Sequence, residues 1–270
     1  MSEITKVICY HHDSHIPNYN LQEFVNQGYE LFDGRQDPFN MFISELSMFR
    51  YYYEHQDLIK DYICTSHYRR IFQNIPENLS PEKCYVYEVT EVNDVNAVGH
   101  NGPFGIKKYM ADTFLNMPEL YETFEEYCNI KYGRDNKFLN IEKRLQQTDT
   151  DLCFFQRCMF VMSKEKFLEL CDYLFGYLDY FEKKFNVEHT FESYFNFFRE
   201  NYCLRNIGHQ FPIGWWQFTP NNVRSLEEVD YLRKVAPGEL YCFRLFSYIG
   251  EQMTSNFINA TFDKKNIILY

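Results

Sequence analysis

With 270 residues, of which 45% are hydrophobic and 19% aromatic, the chain has ample apolar surface for a core, and its 27 Phe and 23 Tyr exclude a disordered or linker-dominated design. Only 11 Gly and 9 Pro exclude a collagen-like repeat. A formal charge of −11 disfavours nucleic acid and anionic lipid as partners, so a phosphate-bearing ligand calls for a local cluster of Arg or Lys against the acidic background.

In chain order, Lys6-Val7-Ile8-Cys9-Tyr10 reads as a buried strand that stops at the polar loop His11-His12-Asp13. Asn40 is an N-cap residue type, and Phe42, Leu46, Phe49 and Tyr53 recur behind it at helical spacing, which predicts one helix fading near Glu54. Residues 61–65 predict a second strand, and the basic loop His67-Tyr68-Arg69-Arg70 follows it directly. Ser80-Pro81-Glu82 reads as a capped turn before a strand over 84–92, and residues 93–105 read as an Asn- and Gly-rich loop.

Pro118 stands near the start of an amphipathic helix with Leu120, Tyr121, Phe124, Tyr127 and Cys128, closed by Gly133-Arg134-Asp135-Asn136. Residues 152–162 predict a buried strand interrupted by Gln156-Arg157. Ser163 then caps the clearest helix, with Phe167, Leu170, Cys171, Leu174, Phe175, Leu178 and Phe181 on one face. A helix over 191–201, a Gly/Pro/Trp loop over 208–222 and a final helix over about 240–258 complete the chain. Strands alternating with helices imply one α/β domain over residues 1–270, with a mostly parallel central sheet flanked by helices.

No apolar run has the length of a signal peptide or a membrane span, so a cytoplasmic chain with no integral membrane segment is expected. Nine scattered Cys without a Cys-x-x-Cys pair read as buried free thiols in a reducing compartment.

The basic loop is the anomaly in this acidic chain. Ligands of open α/β sheets bind beyond the carboxyl ends of strands, and the planar guanidinium fork suits phosphate oxygens. The alternative is that Arg69 and Arg70 pair with surface carboxylates. Ile43-Ser44-Glu45-Leu46-Ser47-Met48-Phe49, a spacer, and residues 61–72 with their His67-Tyr68-Arg69-Arg70-Ile71-Phe72 resemble the signature of a family of glycosyltransferases of capsular polysaccharide biosynthesis, with its Glu-Leu-Thr helix and His-Tyr-Arg-Arg motif. Cys158-Met159-Phe160-Val161-Met162 with the helix behind it, and Arg244-Leu245-Phe246 leading to Glu251-Gln252-Met253, are similar to two further blocks of that family. Arg157-Cys158 replaces the family's Asn in the first of these, and Glu251-Gln252-Met253 its Glu-Arg-Leu in the second.

The resemblance implies a GT-A-like, Rossmann-like fold and transfer of a sugar from a nucleotide-sugar donor to a glycan acceptor. Its donor-binding half spans about 1–110 and its acceptor side about 111–270. His67, Tyr68, Arg69, Arg70, His11, His12 and Arg244 are then the expected donor-binding residues. GT-A folds usually hold the diphosphate through a metal on an Asp-x-Asp, whereas cationic side chains at this strand end could neutralise it without one. No cofactor is therefore required, with Mg²⁺ or Mn²⁺ as an option on the one literal match, Asp149-Thr150-Asp151, which otherwise reads as a solvated loop.

Glu251 is the expected general base for the acceptor hydroxyl, or else a salt-bridged helix carboxylate. Asp112 and Glu45 are lesser candidates, and Glu45 is expected to hold one of the Arg. His11, His12 and His15 read as a polar loop near the base rather than a metal site, and Trp215-Trp216 as a sugar platform or core. A non-catalytic module keeping the same fold is the competing function.

Overall fold

The computed structural model describes residues 2–72, 74–87, 118–146, 152, 158–203, 225–235 and 245–269. Strand β1 (Ile4–Tyr10) buries Val7 and Cys9 on one face and Ile8 on the other, so both faces need cover. Helices α1 (His15–Asn18) and α2 (Leu21–Val25) lead to β2 (Tyr29–Asp33), parallel to β1 with Leu31 opposite Ile8, and Leu21 packs in the apolar cluster that holds Ile8. A 3-10 turn at Gly34–Gln36, then α3 (Asn40–Ile43) and α4 (Leu46–Glu54), carry the chain back past β1 to β3 (Tyr62–His67). Phe42, Leu46 and Phe49 join the cluster of Val7 and Cys9. The two crossovers thus cover opposite faces of β1.

The helix predicted from Asn40 through Tyr53 is divided. Ser44 adopts φ +48° and ψ −119°, a positive-φ conformation outside the helical range that ends α3, and α4 restarts at Leu46. Spacing alone does not reveal such a break, because the apolar face continues through it.

Strands β4 (Cys84–Val86), β5 (Phe160–Ser163) and β6 (Ile267–Leu269) complete a six-stranded sheet of order β2-β1-β3-β5-β4-β6. β1 runs parallel to β2 and β3, and β4 parallel to β6, while β5 is antiparallel to both β3 and β4. The protein is therefore α/β with a mixed sheet flanked by helices. Two strand expectations are shortened: 84–92 is strand only to Val86, with 88–92 outside the described residues, and 152–162 is strand only from Phe160, with 153–157 outside them.

Helices α5 (Pro118–Tyr132), α6 (Lys137–Gln146), α7 (Lys164–Phe185), α8 (Phe191–Phe198), α9 (Leu226–Val235) and α10 (Leu245–Thr261) follow in order. Ser163 Oγ accepts from Lys166 N–H at 3.4 Å as the α7 cap, and all seven apolar residues predicted on its face are buried. The helix predicted over 191–201 ends at Phe198 and passes into a π turn at Arg199–Cys203. The last helix starts at Leu245 and reaches Thr261, with residues 236–244 outside the described set. Cys9, Cys64, Cys84, Cys128, Cys158 and Cys171 are free and buried. Among the described residues no helix is long and apolar enough to cross a membrane.

Candidate functional site at the strand ends

The chain leaves β1 towards β2 and leaves β3 in the opposite direction, so the strand order reverses between β1 and β3. In open α/β sheets the crevice beyond the carboxyl ends at such a reversal is the ligand site. His11 follows β1 there, and His67 ends β3, with Cys9 and His67 adjacent in register.

The break at Ser44 turns Glu45 towards the same crevice. Glu45 Oε1 lies 3.4 Å from His11 Nε2 and 3.1 Å from His67 Nε2, and all three side chains are nearly buried. Burial works against the Glu45 charge, but hydrogen bonds from His11 and His67 outweigh it and hold the carboxyl well below its ordinary range. The expectation that Glu45 holds an Arg is replaced by this pairing with two imidazoles. One ligand atom from each of the three residues lies within 4.8 Å of the others, close enough to share a cation.

Loop 67–70 is tied to this cluster. Arg70 N–H donates to His67 O at 2.9 Å, His67 N–H to Arg70 O at 3.1 Å, and Arg69 N–H to His67 Nδ1 at 3.1 Å. Tyr68 N–H donates to Cys9 O at 3.2 Å, which joins the loop to β1. The Tyr68 ring is buried and stacks on His15 at 3.7 Å between centroids. His67 and Tyr68, both expected to touch the donor, are buried. Arg69 is exposed, its guanidinium 5.1 Å from the Tyr68 centroid, with no ion-pair partner among the described residues. Arg70 is half-buried, 6.0 Å from the Tyr87 ring.

His12 and His15 sit beside the loop. Ser14 N–H donates to His12 Nδ1 at 3.1 Å, and His11 N–H to His15 Nδ1 at 3.4 Å. Burial, and then the electrostatic influence of His11, His12, Arg69 and His67, push His15 down to about 4, so it is neutral near pH 7. On the β2 side, Arg35 grips Asp33 with Nε at 2.8 Å and Nη2 at 2.7 Å, and Asp13 with Nη2 at 2.5 Å. Those bonds hold both carboxyls below the ordinary range. Sequence analysis missed this trio because its members share no spacing pattern; only the folded strand ends bring them together.

Glu251 is half-buried on α10 and within electrostatic reach of Cys158, as is Glu45, and both raise the Cys158 thiol after burial does. Thr65 Oγ1 donates to Cys158 O at 2.7 Å, so this contact lies at the carboxyl half of β3. Glu251 therefore approaches the same end of the sheet as the loop. A Cβ on the preceding Gly250 would come within 2.5 Å of Leu46 Cδ1, so the absent side chain lets α10 close on α4 beside Glu45. Arg244, Asp112, Asp149, Asp151, Trp215 and Trp216 lie outside the described residues. Comparison with family models, curated proteins and solved structures finds no match to this chain.

Proposed function

We propose that the chain is a glycosyltransferase of GT-A-like fold that moves a sugar from a nucleoside-diphosphate donor to a glycan hydroxyl. The observation that carries this reading is the exposed Arg69, free of a carboxylate partner among the described residues, on a braced loop at the strand-order reversal. In an acidic chain a guanidinium so placed is available to a phosphate oxygen. Arg69, with Arg70 and His12 beside it, stabilises the charge that develops on the departing diphosphate. Glu251 takes the proton of the acceptor hydroxyl as the new glycosidic bond forms and the bond from the sugar to the phosphate oxygen breaks. Arg244 is a further donor contact on this function, and the location that goes with it is cytoplasmic.

Titration with UDP, GDP and CMP and their sugars tests the proposal. Arg69→Ala and Arg70→Ala are each expected to weaken binding of the preferred nucleotide by about ten- to a hundredfold, the loss of a charge-assisted bond. Arg69→Ala should change stability by less than about 1 kcal/mol, as for an exposed cation. Unchanged affinity in both variants would falsify the diphosphate role. Binding without sugar transfer to any glycan would identify a non-catalytic module instead.

A further inference from the structure

The cluster of His11, Glu45 and His67 has the composition and spacing of a two-histidine, one-carboxylate metal centre. Its hydrogen bonds contradict that use. A histidine that ligates through Nε2 carries its proton on Nδ1 and donates it to a carbonyl or carboxylate. Here both Nδ1 atoms face donors. His67 Nδ1 receives the Arg69 backbone N–H at 3.1 Å, a group that can never accept. His11 Nδ1 lies 3.1 Å from Asn40 Nδ2, and that amide is held the same way round by donation to Ser44 O at 3.2 Å.

Gly34 closes over the second contact, since a Cβ there would stand 2.5 Å from Asn40 Nδ2 and 2.7 Å from His11 Nδ1. Each imidazole therefore keeps its proton on Nε2, the nitrogen turned towards Glu45. A cation would have to displace both protons, and moving them to Nδ1 would set N–H against N–H at two part-buried positions.

We propose that Glu45 is a positioning residue: it accepts the ordered Nε2 protons of His11 and His67, closes the cluster to divalent cations, and through His67 braces the loop that carries Arg69. Neither measurement below uses a nucleotide, so the inference stands or falls apart from the proposed function.

Long-range ¹H–¹⁵N spectra of histidine-labelled protein at pH 7, assigned with His11→Gln and His67→Gln, should show both rings as the Nε2–H tautomer. The Nε2 proton signals should lie downfield, and that of His67 should move upfield in Glu45→Gln while its tautomer, held by the Arg69 N–H, persists. An Nδ1–H tautomer at either ring would overturn the proposal.

Titration with Co²⁺ and Zn²⁺ is the second arm, with cobalt read by visible absorption. Cobalt that gives no band, or a band that persists in Glu45→Gln and His11→Gln, supports the closed cluster, because any binding is then elsewhere. A band abolished in either folded variant places the cation on the cluster and sinks the idea. Should Glu45→Gln fail to fold, the tautomer assignment in the wild type and the cobalt comparison with His11→Gln still decide it.

Discussion

Glu45 and Glu142 are both buried, yet they sit in regions built on different principles. Glu45 lies where strands end, and each imidazole that reaches it is fixed from behind: His67 by the Arg69 backbone, His11 by the Asn40 amide. Glu142, on α6, lies within the helical layer. Gln252 Nε2 donates to its Oε1 and Asn256 Nδ2 to its Oε2, the latter at 3.0 Å, from positions one turn apart on α10. Asn256 also donates to Phe138 O at 2.9 Å and accepts from Tyr173 OH at 3.1 Å. The helical carboxylate thus locks α6, α7 and α10 together, whereas the strand-end carboxylate locks side chains next to an exposed cation. The same residue type holds packing in one region and orders a candidate ligand surface in the other.

Removing the helical carboxylate should have the largest effect. Glu142→Ala strands two buried amide donors and opens a cavity, so urea denaturation should show a loss of about 4 kcal/mol. The histidine spectrum should be unchanged, because the strand-end contacts described above run through His11, Glu45, His67 and Asn40 and not through Glu142; a shifted His67 signal would mean that the two regions are coupled.

Gly34→Ala probes the other region. The added methyl must separate Asn40 from His11, at a cost of about 1–3 kcal/mol, and the His11 signal should respond before that of His67. An unchanged His11 resonance would mean that the Asn40 contact does not order that ring.

Acid sharpens the contrast further. A carboxyl whose folded pKa is lowered contributes stability above its unfolded pKa, about 4.3 for Glu, and loses that contribution as pH falls through the lowered value. The stability gap between wild type and Glu45→Gln should therefore be full at neutral pH and narrow on acidification below about pH 4.3. A gap that widens with acid would show that the folded state raises the Glu45 pKa instead.

Gly250→Ala should have the smallest effect, about 1 kcal/mol, since the three atoms nearest the methyl, Cδ1, Cγ and Cδ2, all belong to the one side chain of Leu46. Its informative readout is the transferase activity proposed above, which on that proposal should fall more than stability if Glu251 needs the close approach of α10.

Much of the secondary structure was legible from apolar pattern. β1, β3, the cap at Ser163 and seven of the nine buried residues of α7 follow from residues whose spacing matches one period, while the buried Tyr173 and Tyr177 lie outside the predicted face. The elements that escaped have patterns blurred by their place in the fold. β2 and β6 are edge strands of mixed burial, so neither alternates cleanly. α6 buries Phe138, Leu139 and Leu145 at helical spacing but sets the charged Glu142 on the same face, which hides its periodicity. Its cap, Asn136, accepts from Leu139 N–H at 3.1 Å, although in sequence it reads as part of the turn that closes α5.

The sequence by itself determined that this chain folds around an aromatic-rich α/β core and that its basic loop follows a strand, because burial period and charge contrast are local properties. Only the tertiary structure decided what the loop stands on. Residues 11, 45 and 67 lie in three separate segments, and their convergence depends on two parallel pairings and a helix broken at Ser44. Which nitrogen of each ring bears the proton depends further on a backbone N–H and an amide that no periodicity encodes. Proton order is a property of a buried hydrogen-bond network, and such a network exists only after the strands have paired.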